Sequence, residues 1–130
     1  GGGTTLGAFL DSTADRIADA ALFGAGAYVG FARGDVVLFW GSLGALSASF
    51  LVSYIRAKAE SLGIRATVGP GPREARLVIL LLGIGGWALL GSPVAFTTAI
   101  VAVAILATIT LVQRTAVVAR SLAKKTSGET

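Results

Sequence analysis

VVLFWGSLGALSASFLVSYI, from Val36 to Ile55, contains no charged side chain. A bilayer core is crossed by about 20 apolar residues as a helix, so this stretch predicts one membrane span. A second charge-free stretch, residues 77–113, is too long for a single span. Gly91-Ser92-Pro93 divides it into 77–90 and 94–113, because Gly and Pro together break a helix. The earlier half is short, so its helix is expected to begin near Arg73. An opening segment from about Gly7 to Phe31 carries Asp11, Asp15, Arg16 and Asp19 in its first turns and is apolar afterwards. The expectation is an all-α, polytopic bundle of four membrane helices. The joints fall at Ala32–Asp35, at a longer loop near Gly63–Pro72, and at Gly91–Pro93. Gly69-Pro70-Gly71-Pro72 is loop chemistry.

Composition agrees. The 130 residues are 54% hydrophobic and 14% charged, with mean hydropathy +0.79, where a soluble domain carries roughly 25% charge. There is no Cys, which excludes disulfides, thiolate nucleophiles and Cys metal sites. There is no His, the commonest general base near neutral pH, so acid–base work falls to carboxylates. The start, Gly1-Gly2-Gly3-Thr4-Thr5, is neither basic nor apolar and does not read as a signal peptide. Residues 1–125 read as one membrane domain, and Thr126–Thr130 as a polar, frayed tail.

The cations orient the bundle. With the Asp11/Asp15 end on one side of the membrane, ten of the eleven Lys and Arg residues fall on that side and only Arg33 falls opposite. Lys/Arg bias marks the cytoplasmic face. The expectation is therefore a multi-pass cell-membrane protein whose acidic pair faces the cytoplasm. Small residues punctuate the helices: Gly26 and Gly30; Gly41, Ala45 and Ser49; Gly83, Gly85 and Gly86. They allow close helix approach, either inside the bundle or at the face of a homodimer.

Gly7-Ala8-Phe9-Leu10-Asp11-Ser12-Thr13-Ala14-Asp15 sets two carboxylates at i and i+4, on one helix face. One reading is an interfacial polar stripe, with Asp11 favouring the helix N-terminus and Asp15 paired with Arg16 or Arg76. The other is function, since ionisable groups in membrane segments are costly and mark sites. Oxygen ligands without His or Cys suit Mg²⁺ or Mn²⁺, although two carboxylates alone make a weak metal site. The cations divide similarly. Arg65, Arg120, Lys124 and Lys125 fit membrane anchoring. Arg76 and Arg114 border the charge-free cores at the depth of the acid pair, where an Arg fork suits phosphate.

The spacing G-x3-D-x3-D at Gly7, Asp11 and Asp15 resembles the second half of the CDP-alcohol phosphatidyltransferase signature, D-x2-D-G-x2-A-R-x8-G-x3-D-x3-D. The first half is absent, the sequence beginning inside the x8 stretch. The resemblance implies six helices in the whole enzyme, of which four are here, and a fragment inactive by itself. It implies that Asp11 and Asp15 hold Mg²⁺ or Mn²⁺ together with two acids of the preceding helix, and that Gly7 leaves room for the nucleotide. It further implies that Asp15 is the general base in transfer of the phosphatidyl group from CDP-diacylglycerol to an alcohol, with release of CMP. Asp19 lies outside the motif and is expected to support it through a basic partner. The segments S-Y-I-R-A-K-A-E (53–60) and R-E-A-R-L (73–77) are similar to the actinobacterial phosphatidylinositol-phosphate synthase branch. That similarity implies inositol phosphate as acceptor, its phosphate bound by Lys58, Arg76 and Arg114 with Arg56 and Arg73 in support. Membrane lipids and a second copy of the chain are the other expected partners, and nucleic acid is not one. Glycerol phosphate as acceptor, or a non-enzymatic anchor or transport subunit, are the alternatives. A transporter predicts broken helices or inverted repeats near the midplane, whereas the charges here gather at one interface.

Overall fold

The structure, a computed structural model, describes residues 4–64 and 73–128. Four helices follow in chain order: α1 (Thr5–Arg33), α2 (Val36–Ser61), α3 (Arg73–Leu90) and α4 (Val94–Gly128), with no strand among the described residues.

The sequence explains where each helix begins and ends. Thr4 caps α1, its hydroxyl accepting from the Gly7 amide at 2.9 Å. The first turn of α1 holds no acid, so Asp11 is a second-turn residue, past the N-terminal turn that it was expected to favour. Gly34 closes α1 in the left-handed conformation (φ 70°), which Gly adopts without a Cβ clash. Asp35 then caps α2, accepting from the Leu38 amide at 3.0 Å. Its other oxygen accepts from the Thr97 hydroxyl of α4 at 3.2 Å, tying two helix starts together. Gly91 (φ 69°) makes the turn into α4. The Gly69–Pro72 loop and Arg65 lie outside the described residues.

The helix backbones pack in the order α1, α2, α4, α3, with no close backbone approach between α1 and α3. Phe23, Leu38, Ala45, Leu80, Phe96, Ile100 and Val103 form the core. Small residues set the helix spacing. A Cβ on Gly30 would lie 2.5 Å from the Phe39 nitrogen, and one on Gly26 would lie 2.6 Å from the Ser42 hydroxyl. Gly83 and Gly86 face Ala99 and Ala95 of α4 as closely. These glycines therefore serve packing within the bundle. The outer surface is apolar, with Phe31, Trp40, Leu81, Leu82, Leu89 and Leu90 all exposed, an unusual surface for a protein in water.

Two expectations change. Four membrane helices were expected, but among the described residues only α2 and α4 are long and apolar enough to cross a membrane by their own composition. Every 18-residue stretch of α1 carries at least three charges, and α3 is 18 residues long with Arg73, Glu74 and Arg76 in its first turn. Nor does α4 stop near residue 113. It continues to Gly128, through the start of the segment expected to fray. Arg, Lys and Ala are good helix formers, so a charge that ends a hydrophobic core does not end a helix.

Candidate active site

Up-and-down order brings the N-terminal turns of α1 and α3 and the C-terminal turns of α2 to one end of the bundle. α4 starts at the other end and reaches this level at Arg114. Between the four helices lies a cavity of about 610 Å³. Asp11, Asp15 and Arg16 line it from α1, Ser53, Arg56 and Glu60 from α2, Glu74 and Arg76 from α3, and Arg114 from α4.

Asp11 is exposed and Asp15 half-buried, both on the face of α1 that the 3.6-residue period predicts. One turn further, Asp19 is buried (6% exposed) and accepts from Arg16 at 3.2 Å. Arg16 therefore pairs with Asp19, and it also donates to the Ser53 hydroxyl of α2. The Arg16 Nε is buried without an acceptor among the described residues. Across the cavity, Arg76 and Arg114 are buried, at 6% and 9% exposed, and Arg76 donates to Ser49 at 2.7 Å. Arg56 bonds Glu60 of its own helix at 3.2 Å and is close enough to Arg114 for the two charges to interact. The acid pair of α1 (the acidic wall) thus shares the cavity with the buried arginines of α3 and α4 (the cationic wall), with Arg16 and Glu74 among them.

Of the residues chosen from sequence, Asp11, Asp15, Arg56, Arg76 and Arg114 meet in this cavity. Gly7 and Lys58 do not line it. Lys58 is exposed, and a Cβ on Gly7 would meet the Thr4 hydroxyl at 2.7 Å, so the helix cap alone accounts for a glycine there. The Arg73 backbone opens α3, and its side chain lies outside the described set. Arg16, Glu60 and Glu74 line the cavity although neither motif nor spacing had singled them out. Their signal was available as charges within a turn or two of the acid pair or of the helix ends.

Asp11 and Asp15 offer hard oxygen donors to the cavity, which fits Mg²⁺ or Mn²⁺. Among the described residues, no group of three or more His, Cys, Asp or Glu side chains could hold a metal. The pair therefore fits as part of a ligand set.

No protein-family profile matches the chain. Individual relatives do. The archaetidylinositol phosphate synthase of Methanothermobacter thermautotrophicus is 38% identical over 112 residues, 85% of this chain and 54% of that protein. The phosphatidylinositol phosphate synthase of Corynebacterium glutamicum is 40% identical over 128 residues, 96% of this chain and 58% of the relative. This chain is a homologue of the phosphatidylinositol phosphate synthases. It spans about half the length of the curated relatives it matches. Its fold matches the crystal structure of Mycobacterium tuberculosis phosphatidylinositol phosphate synthase with CDP-DAG bound, with TM-score 0.82 and 38% identity, covering 91% of this chain and 61% of that one. A structure of the same mycobacterial enzyme in complex with manganese and citrate matches with TM-score 0.81 and 37% identity, over 90% of this chain and 57% of that one.

Proposed function

We propose that this chain carries the acceptor site and half of the metal site of an enzyme that transfers the phosphatidyl group of CDP-diacylglycerol to inositol phosphate. The observation that carries the reading is the cavity where Asp11 and Asp15 face Arg76 and Arg114. It occurs in a fold that matches a synthase crystallised with CDP-DAG. The acceptor hydroxyl attacks the phosphorus bearing the diacylglycerol. A new P–O bond forms there, the P–O bond to CMP breaks, and CMP leaves as the anion. Asp15 takes the hydroxyl proton as attack proceeds. Arg76 and Arg114, with Arg56 beside them, bind the phosphate of inositol phosphate and so aim its hydroxyl at the acidic wall. Burial strengthens these charge-assisted bonds by excluding water. Asp11 and Asp15 hold Mg²⁺ or Mn²⁺ with acids from outside this chain, and the bound ion neutralises the diphosphate and stabilises the departing CMP. Support for a divalent metal comes from the oxygen donor pair and from the relative crystallised with manganese.

The same reading places all four helices in the membrane, with the site at the cytoplasmic interface. Apart from Arg33 in the last turn of α1, the charges on α1 and α3 lie in the half of each helix nearer the cavity, which spares the remaining turns for lipid. Among the described residues, every Lys and Arg except Arg33 belongs to a helix segment at or beyond the cavity end. A homodimer is part of the reading. Gly24, Gly44 and Gly85, where a Cβ would meet nothing within 4 Å, are the glycines open to such a contact.

The test is an acceptor panel. The complete enzyme carrying this chain is supplied with CDP-diacylglycerol and inositol phosphate, glycerol phosphate or inositol, and CMP release is followed. Release with inositol phosphate alone supports the reading. Preference for glycerol phosphate moves the chain to another acceptor class, equal use of unphosphorylated inositol removes the phosphate pocket, and no release with any acceptor removes the enzymatic reading.

A further inference from the structure

α2 presents two serines one turn apart, Ser49 and Ser53, in an uncharged span, and each receives an arginine from a different helix. Arg76 of α3 donates to the Ser49 hydroxyl at 2.7 Å, and Arg16 of α1 donates to the Ser53 hydroxyl. The Ser53 hydroxyl gives its own hydrogen to the Ser49 carbonyl at 3.2 Å, which turns its lone pairs outward. Ser49 is fully buried. The α3 backbone packs on α4 and not on α2, so the Arg76–Ser49 bond is a side-chain tie from α3 to α2.

We infer that Ser49 is a positioning residue, fixing the buried guanidinium of Arg76 and through it the acceptor's phosphate. A guanidinium on a flexible stem has many rotamers, and one hydrogen bond from a rigid, buried hydroxyl selects among them. Ser49 does not line the cavity, whereas Arg76 does. Its influence on an acceptor is therefore indirect, and it should be absent when Arg76 is absent. This rests on the proposed acceptor site but needs only that the acceptor carry a phosphate.

The experiment is a double-mutant cycle in the complete enzyme, reading CMP release and thermal unfolding for Ser49→Ala, Arg76→Ala and the pair. Ser49→Ala removes one oxygen and creates no clash. Loss of one hydrogen bond to a charged group predicts a rise in acceptor KM of roughly tenfold, with kcat and the KM for CDP-diacylglycerol within about twofold. The double variant should match Arg76→Ala alone, because the serine has nothing left to position. Independent, multiplying effects of the two substitutions would overturn the inference, as would an unchanged acceptor KM in Ser49→Ala. Should Arg76→Ala fail to fold, Arg76→Lys, which keeps the stem and charge, replaces it in the cycle. If the unmutated enzyme uses glycerol phosphate instead, the cycle is run on that acceptor. The proposed substrate then fails while the coupling of Ser49 to Arg76 is still measured.

Discussion

Lys58 and Arg56 stand two residues apart on α2, and the structure gives them opposite fates. Two positions along a helix turn the side chain by about 200°. Both are exposed, but Arg56 lines the cavity and Lys58 does not. The contrast predicts different kinetics for cations that look alike in sequence. Arg76 and Arg114 are buried at 6% and 9% exposed. A charge-assisted bond from such a group contributes about 1.5–3 kcal/mol, and 1.4 kcal/mol is about a factor of ten. Arg76→Ala and Arg114→Ala should each raise the KM for inositol phosphate roughly 10- to 100-fold. Lys58→Ala acts only through screened solvent, where a surface charge contributes about 0–1 kcal/mol, so its effect should stay within a few-fold. In the assay, CMP release is followed while inositol phosphate is varied at saturating CDP-diacylglycerol, and then with the roles reversed. Inorganic phosphate serves as a competing probe, and it should inhibit the Arg114→Ala enzyme less than the unmutated one. If Lys58→Ala matched the two arginine variants, or if the damage fell on the KM for CDP-diacylglycerol, the assignment of the cationic wall to the acceptor would be refuted.

Asp15→Asn removes the proposed base and should lower kcat by about 10²–10⁴-fold. Asp19→Asn instead breaks the pair with Arg16, and it should lower the unfolding temperature while costing less than tenfold in kcat; equal loss of turnover in two folded variants would merge their roles. Complete chelation should abolish CMP release and added Mg²⁺ or Mn²⁺ should restore it, so undiminished release after metal removal would contradict the role given to Asp11 and Asp15. Gly30→Ala drives a Cβ into the Phe39 backbone and should destabilise the enzyme by about 1–3 kcal/mol. Gly24→Ala meets open space and should leave the unfolding temperature unchanged or higher, so equal melting of the two variants would remove the α1–α2 close approach.

The fold was legible where one residue type dominates the local physics. Gly91-Ser92-Pro93 and Gly34 break helices whatever surrounds them, and the charge-free runs of α2 and α4 leave few alternatives to a span. The end of α4 was less legible because hydropathy reports where lipid stops, and hydrogen bonding of the backbone continues past that point through Arg120, Lys124 and Lys125. In the site, Asp11 and Asp15 could be paired from spacing alone, since i and i+4 share a face on any helix. Arg16 could not, because its partners are Asp19 and Ser53, and the second is 37 residues away on α2. Choosing Arg56 over Lys58 likewise needs the rotation of α2 about its axis, which is set by the packing of Ala45, Ser49 and Val52 against neighbours and not by the charges themselves.

The placement of the acid pair on α1 and of the buried arginines on α3 and α4 has a kinetic consequence. The acids proposed to hold the metal and accept the proton come from α1, and the buried cations proposed to hold the acceptor's phosphate come from α3 and α4. The α1 backbone packs on α2 and the α3 backbone on α4, and the two serines of α2 are where side chains from both walls meet one helix. Arg16 and Arg76 bind that helix one turn apart. Damage on the α3–α4 wall should therefore appear in acceptor KM, and damage at Asp15 in kcat. Substitutions at Ser53 form the exception. This serine faces the cavity, accepts from Arg16 and donates to the Ser49 carbonyl, so Ser53→Ala should move both parameters together. A Ser53→Ala enzyme altered in only one of them would mean that the two walls are joined somewhere other than at this serine pair.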